Sequence, residues 1–421
     1  MQSSQVNYYE ENLMQNTVHE ITANRVANGE AVAAFESQLA GRIIRPSDAD
    51  YDSARAVWNG MIDKYPALIV RCASAMDVIA AVNFSRDNNV PFSVRGGGHN
   101  VAGIAVRDGG LVIDLSEMRR VHVDPTARIA RVDGGATWAD VDQKTQAFGL
   151  ATPGGVVSDT GVAGLTLGGG FGWLSKKYGL SCDNLISVDI VTADGRLLKA
   201  SESENADLFW GVRGGGGNFG IVVSFEFQLH PVGPDVYRMV VFHPGDKARE
   251  FIQFFREYTQ TLSDDYSGIG ILGHFPEVES FPVEAHGKSF VAMIMVYSGD
   301  DFATAERQLR PLREFTTPVV DLSGATPFVE AQTFFDEDYP AGDLRYYWKS
   351  RYVTGLHDEV IDALIELNDE SPSHHSTIDL WILGGAVSRV PASATAFGDR
   401  SAPNLIGVEA NWEDSADDDA N

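Results

Sequence analysis

Two short stretches place reactive side chains where bulk has been cleared away. In "VRGGGHNVAG", residues 94–103, His99 follows three consecutive glycines. In "KYGLSCDN", residues 177–184, Cys182, one of only two cysteines, occupies a Gly-x-x-Cys-Asp-Asn turn. Glycine runs forfeit packing and cost entropy on ordering, so a folded chain keeps them where backbone must approach something closely or take a positive φ. By residue type alone, the pair reads first as a small buried thiol plus a hydrogen-bonded imidazole rather than as two nucleophiles. One Cys and one His with no nearby ligands fall short of a tetrahedral zinc site, so no metal is expected.

The surroundings add weight. Four glycine clusters, "RGGGHN", "TPGGVVSDTGVAGLTLGGGFG", "KYGLSCDN" and "WGVRGGGGNFG", fall between Arg95 and Gly220. Backbone N–H groups exposed at such turns form concave donor nests for phosphate, and several of them suggest one large anionic ligand, a dinucleotide. The usual nucleotide fingerprint is missing, because "GGGHN" does not open a helix with an acidic residue about 20 positions on, and there is no Walker A sequence. Nicotinamide and ATP readings weaken accordingly.

These turns need elements to hold them. The apolar run Leu68 to Cys72, a helix starting at Ser74 with Asp77 three residues on and carrying Val78, Ile79 and Val82, and the "VPFSV" run read as β-α-β, so the first glycine loop follows a strand. "TWADVDQKTQAFG" puts Trp138, Val141, Thr145 and Phe148 on one helical face with Gly149 as the stop. "ISVDIVTADGRLLKAS" reads as a hairpin around Asp194-Gly195. "GIVVSFEFQLH" alternates as a strand with one buried face. Near Pro231 to Pro234 the glycine clusters give way to longer strand and helix runs. The expected organisation is a leader (1–35), a glycine-rich domain (36–233), a second domain (234–408) and an acidic, unstructured tail (409–421).

Composition narrows the partners. A chain of 421 residues with 44% hydrophobic residues fills two cores. The formal charge of −27 repels phosphate, which argues against nucleic acid and anionic membrane as partners. No apolar run spans a bilayer and the polar start lacks the features of a signal peptide, so the expected location is cytoplasmic. The charged residues are 36 Asp and 23 Glu against 24 Arg and only 8 Lys, a balance suited to a halophilic setting where salt screens self-repulsion. Oligomeric state is not legible.

The segments "VRGGGHNVAG", "LVIDLSEMRRVHVD", "GGGFGWLSKKYGLSCDNLISVDIVTADG", "LFWGVRGGGGNFGIVVSFEF", "YYWKS" and "GGAVSRVPASATAF" together resemble the berberine bridge enzyme-like family of FAD-linked oxidoreductases, in family order from about residue 38 to 412. The resemblance implies an α+β, two-domain fold of the vanillyl-alcohol oxidase/p-cresol methylhydroxylase (VAO/PCMH) FAD-binding type, with a second, substrate domain built on an antiparallel sheet covered by helices. It also implies FAD held by two covalent bonds, from His99 to the 8α-methyl carbon and from Cys182 to C6. Arg95, Gly96, Gly97, Gly98 and Asn100 would form the diphosphate loop, with Gly161, Gly164, Gly168 and Gly169 beside it and Gly220, Ile221 and Val222 on the adenine side. Leu185 matches a family position that faces the flavin and governs oxygen access.

For catalysis the family strand "RYYWKS" offers Tyr346, Tyr347, Trp348 and Lys349, of which alternation lets at most half face a substrate. Tyr178 is a further candidate. The expected base is a tyrosinate with lowered pKa. Family members continue past Asn411 and Trp412 through a tyrosine-containing strand and a final helix, which this chain is expected to lack. The implied reaction is hydride removal from a C–H next to a hydroxyl, hemiacetal or amine of a sugar or secondary-metabolite-like small molecule, with O2 or another acceptor reoxidising the flavin. The readings set beside it are an oxygen-insensitive dehydrogenase and a flavin-binding protein without activity.

If the acidic composition reflects salt adaptation, far-UV circular dichroism in dilute buffer will show loss of structure that molar KCl restores. Full structure at low ionic strength would remove that reading.

Overall fold

The first glycine turn leaves a strand whose end is fastened by an ion pair. In the computed structural model, which describes residues 29–421, strands β1 (Arg42–Ile44), β2 (Leu68–Arg71), β3 (Phe92–Arg95) and β4 (Leu111–Asp114) form a sheet in the order β1-β2-β4-β3. β4 runs parallel to both β2 and β3, and Arg95 lies opposite Asp114 in register. The Arg95 guanidinium donates to both Asp114 oxygens, at 3.2 and 2.6 Å, and to the carbonyls of Ala54 and Ala56. Between β2 and β3 runs the helix Ala75–Asn88, its first turn capped by the Ser74 side chain as its sequence suggests, and its end marked by Asn89 at φ 52°. Asp77 does more than start the helix. It accepts the N–H groups of Ala40, Gly41 and Ala73, tying β1 to the helix.

A second, wholly antiparallel sheet follows. Its members come from β5 (Val121–Asp124), β6 (Ile129–Asp133), β8 (Leu185–Val191), β9 (Leu197–Ser201) and β10 (Ile221–Gln228), in the order β5-β6-β10-β8-β9, while β7 (Leu150–Ala151) and β11 (His230–Pro231) make a separate ribbon. The β8–β9 hairpin turns at Gly195, φ +79°, as "ADG" suggests. The one-face reading of β10 needs correcting: Ile221 to Phe225 are all buried, because Ile221 and Val223 pack into the core of the first sheet while Val222, Phe225 and Phe227 face the core of the second. Trp138, Val141 and Thr145 are buried on their helix, Trp138–Gln146. Phe148 is not: the helix ends two residues before it, which leaves it half exposed.

After Pro234 the chain builds an eight-stranded sheet from β12 (Asp235–Pro244), β13 (Tyr266–His274), β14 (Ser289–Tyr297), β15 (Val320–Asp321), β16 (Gly324–Pro327), β17 (Arg345–Val353), β18 (Thr377–Ile382) and β19 (Asn404–Trp412). The order is β15-β12-β14-β13-β18-β19-β17, with β16 also on β12, and every pairing is antiparallel. One face carries the helices Ala248–Tyr258, Phe302–Arg313 and Asp358–Asp369, which bury Phe251, Phe255, Leu309 and Ile361 against Met239, Met293 and Leu380. The other face turns Val240, Ile269, Ile294, Trp381 and Leu405 toward Trp173 and Phe335. This is the α+β, two-sheet-domain architecture with a helix-covered antiparallel sheet that the resemblance implies.

Both ends of the expected layout change. Of the leader, residues 1–28 lie outside the described residues, and Gly29–Glu36 is a helix that buries Val32 and Phe35, the latter stacked on Phe84. The tail is not unstructured. Glu409 to Trp412 complete β19 against Arg345 to Trp348, and Asp418 accepts two bonds from Arg345 and one from Trp412 Nε1. An acidic segment docks here because a partly buried arginine needs its carboxylate.

The domains are joined by polar contacts. Gln332 donates to Asp142 at 2.9 Å and to the carbonyl of Gly155, Asp336 accepts the N–H and hydroxyl of Ser158, and Trp173 Nε1 donates to the carbonyl of Ala331. Burial pushes the Asp142 carboxyl up to about 7, which the Gln332 amide only partly opposes. The folded state therefore holds this proton more tightly than the unfolded chain does, and stability falls as pH rises from roughly 4 through 7. Thermal melting of Asp142→Asn is expected to drop less between pH 5 and pH 8 than melting of the parent. An equal drop would remove Asp142 as a source of the slope.

Candidate active site

The glycine turns meet each other without side chains between them. A Cβ added at Gly97 would overlap the backbone of Gly161, and one at Gly161 would overlap Gly97, so the loop after β3 and the segment before the helix Val162–Leu167 touch directly. Gly98 takes φ +75°, which turns the chain into His99. Among the described residues, the N–H groups of Gly96, Gly97, Gly98, His99 and Asn100 have no acceptor within the protein. Five consecutive free donors form a concave nest for an anion.

These turns form one end of a cavity of about 740 Å3 that runs to the eight-stranded sheet. Gly96, Gly97, Gly98, His99, Asn100, Gly161, Gly164, Gly168, Gly220, Ile221 and Val222 line it, joined by Gly216 and Gly217. At Gly164 and Gly217 a Cβ would meet no atom within 4 Å, so the missing side chains leave open space along the wall. No Lys or Arg lines the cavity among the described residues. Two expected contacts differ. The Arg95 side chain faces Asp114, behind the loop, because the strand ends require that ion pair. Gly169, φ +118°, faces Phe397 and accepts the Cys182 N–H.

His99 is held from three sides. Its Nε2 lies 2.7 Å from Asp159 Oδ1, its Nδ1 lies 3.5 Å from the Thr160 hydroxyl, and its ring stacks on Trp58 at 4.7 Å. A carboxylate only accepts, so Asp159 selects the tautomer protonated at Nε2, and the unprotonated Nδ1 has the Thr160 hydroxyl as its weak, long donor. Trp58 in turn stacks on Tyr346 at 3.7 Å and donates to the Tyr339 carbonyl. The stack His99–Trp58–Tyr346 thus bridges the two domains.

Cys182 is placed differently. It is fully buried against Leu180, Val387, Phe171 and Phe397, and the last two are the side chains that the cavity meets. Burial, followed by the adjacent Asp183, pushes the thiol up to about 12, while Arg400 and Arg213 oppose the rise. Leu185 packs into the core of the second sheet with Leu167, Val188 and Val222 and is not a wall residue, since β8 turns it away.

The catalytic expectations are corrected by strand parity. On β17, Tyr347 and Lys349 occupy the outer face, with Tyr347 half exposed and Lys349 Nζ 4.9 Å over its ring. Tyr346 points inward but is buried behind Trp58, its hydroxyl donating to the Pro340 carbonyl. The wall residues of this strand are Trp348 and Tyr352. Tyr178 lies at the domain junction, stacked on His230 at 4.0 Å, outside the cavity. Burial pushes Tyr339, Tyr346 and Tyr352 upward, the opposite direction from the lowered pKa expected of a tyrosinate base.

What the sequence reading missed lies at the sheet end of the cavity. Asp379 on β18 and Glu409 on β19 both line it, as does Tyr339, whose hydroxyl donates to Glu409 Oε2 at 2.9 Å. Asp379 lies opposite Gly407, two residues before Glu409 on the same face. A Cβ at Gly407 would sit 3.4 Å from Asp379 and 3.6 Å from Glu409, in ordinary contact with both, so this glycine lies beside the two acids. Burial pushes both carboxyls upward, and for Glu409 the charge of Asp379 adds to it. Such a pair keeps a proton at neutral pH. Trp58, Trp348, Trp381 and Phe335 line the same cavity. The signal was available: "TIDLWI" and "LIGVEANW" each set one acid within an otherwise apolar strand.

The cavity fits FAD: free amides in the glycine loop for a diphosphate, open glycine walls for a flat ring system, and a histidine on its lining. Comparison with known proteins agrees. Residues 66–201 match the FAD binding domain family. The FAD-linked oxidoreductase YgaK of Bacillus subtilis is 31% identical over 385 residues, covering 90% of this chain and 82% of its own. The crystal structure of 6-hydroxy-D-nicotine oxidase from Arthrobacter nicotinovorans superposes with a TM-score of 0.77 at 28% identity, covering 90% of this chain and 82% of that one. A variant of berberine bridge enzyme shares the fold, with a TM-score of 0.79 at 20% identity over 93% of this chain and 82% of its own. With a glycine-walled FAD seat facing a helix-backed antiparallel sheet, and these relatives, the chain belongs to the berberine bridge enzyme-like family of FAD-linked oxidoreductases.

Proposed function

We propose that this FAD-dependent oxidoreductase removes a hydride from a C–H next to a hydroxyl, hemiacetal or amine of a small molecule, with Asp379 and Glu409 managing the proton. The observation that carries the reading is the buried carboxyl pair, bonded to Tyr339 and facing the glycine seat across one cavity. A carboxyl pair that retains one proton offers both an acceptor for the substrate's O–H or N–H proton and a donor that orients the same heteroatom. Tyr339, a neutral phenol, holds Glu409 in place by donating to it. The aromatic walls Trp58, Trp348 and Trp381 exclude water from the reacting face and fix a planar substrate by stacking. FAD, when bound, supplies the two-electron acceptor for the hydride.

His99 and Cys182 are the proposed attachment points of the cofactor. The Asp159 contact favours a nucleophilic Nδ1 on His99, and a fixed near-attack geometry is what such an addition needs. Cys182 is not itself on the cavity wall, but Phe171 and Phe397, which pack in its cluster, are, so attachment there requires these rings to give way. The electrons leave to O2 or another acceptor. The salt-adapted, cytoplasmic setting belongs to the same reading.

Two measurements test it. Anaerobic stopped-flow mixing with a panel of oligosaccharides, secondary alcohols and cyclic amines should bleach the flavin absorbance with at least one of them. Glu409→Gln and Asp379→Asn should each slow that step about 100- to 10,000-fold. Unchanged rates in both variants would remove the pair from catalysis. Intact mass under denaturing conditions should show the chain plus one FAD, lost only when His99→Ala and Cys182→Ala are combined. A bare polypeptide mass in the parent would overturn covalent attachment.

A further inference from the structure

Behind the aromatic wall, Arg400 is sealed from water, with its side chain 2% exposed. Its Nη1 and Nη2 donate to the two oxygens of Asp183 at 2.7 and 2.8 Å, and Nη2 also to the Thr395 hydroxyl at 2.8 Å. Its Nε has no acceptor. A buried donor left unused is costly, so its persistence calls for a partner that arrives at some stage.

The adjacent group is Cys182. Its thiol donates to Asp183 Oδ1 at 3.7 Å, so thiol, carboxylate and guanidinium form one contiguous buried set, and the charge of Arg400 favours the thiolate. The set has no net charge as thiol, carboxylate and guanidinium. It has none after the proton moves along the existing hydrogen bond, as thiolate, carboxylic acid and guanidinium. A lone thiolate in this apolar pocket is strongly disfavoured, but an internal transfer brings no net charge into it.

We infer that Arg400 is a positioning residue that makes Cys182 reactive toward the flavin, with Asp183 receiving the thiol proton and the free Nε of Arg400 receiving the sulfur. This rests on the attachment through Cys182 proposed above. In the step itself a bond forms between Sγ and C6 of the flavin, and the hydrogen on C6 leaves as a proton. The two electrons released pass to O2, and with the thiol and C6 protons they complete hydrogen peroxide. Arg400 also lies 5.1 Å from the centre of the Phe397 ring, so the same guanidinium borders a ring of the cavity wall.

The test uses the full-length chain in a His99→Ala background, where only Cys182 can retain FAD through denaturation. Intact mass reads attachment, and absorbance of the native protein reads bound FAD. His99→Ala alone should carry the mass of one FAD. Adding Arg400→Gln should abolish attachment at neutral pH while native FAD binding persists, and alkaline pH should restore it by supplying thiolate through mass action. Adding Arg400→Lys should retain partial attachment, and Asp183→Asn should slow it. Arg400→Gln attaching FAD as fast as its parent overturns the role. So does a loss that alkali fails to restore while Arg400→Lys, folded by circular dichroism, also attaches nothing. If His99→Ala alone releases all its FAD, attachment through Cys182 falls, and this inference with it.

Discussion

Everything at the glycine end depends on one contact: the backbone of Gly97 against the backbone of Gly161. Only because neither residue has a Cβ can the two segments close on each other. That closure brings Asp159 and Thr160 to the two nitrogens of His99, in a loop whose residues 96–100 line the cavity with their amides unpaired within the protein. The rest of the first domain serves this seam. The Arg95–Asp114 pair anchors one of its segments to the parallel sheet, and Asp336 of the second domain anchors the other through Ser158.

At the opposite end the sheet domain works through register. Asp379 lies opposite Gly407, two residues before Glu409 on the same face, and the pairing of β18 with β19 keeps the two acids adjacent. Two carboxyls buried side by side disfavour double ionisation, and the surrounding aromatic side chains sharpen that preference by excluding water. The chemistry of the cavity is therefore divided between strands of rigid register and loops of fixed contact.

Features that depend on neighbours in the chain were legible beforehand. The glycine runs, His99, the Ser74 cap and the Asp194-Gly195 hairpin are all set by a few consecutive residues. Features set by distant partners were not. Nothing near Cys182 announces that Phe397 will pack in its cluster or that Arg400 will pair beside it. Strand parity made Tyr347 and Lys349 indistinguishable from Trp348 until the sheet fixed which face of β17 looks inward. The acids of β18 and β19 were visible as anomalies in apolar strands, but only the pairing register makes them neighbours. The tail misled because its charge suggests a solvated chain, whereas Arg345 provides a local partner for Asp418.

Three of the seven tryptophans, Trp58, Trp348 and Trp381, stand on the wall of the cavity that runs from the glycine turns to the eight-stranded sheet. Their indoles surround whatever enters, and Trp58 is clamped between His99 and Tyr346, with little freedom to rotate away. An occupant that absorbs in the near ultraviolet lies within energy-transfer distance of all three. The protein's own emission is thus an optical gauge of the cavity, dimming as it fills and brightening as it empties, with no label attached.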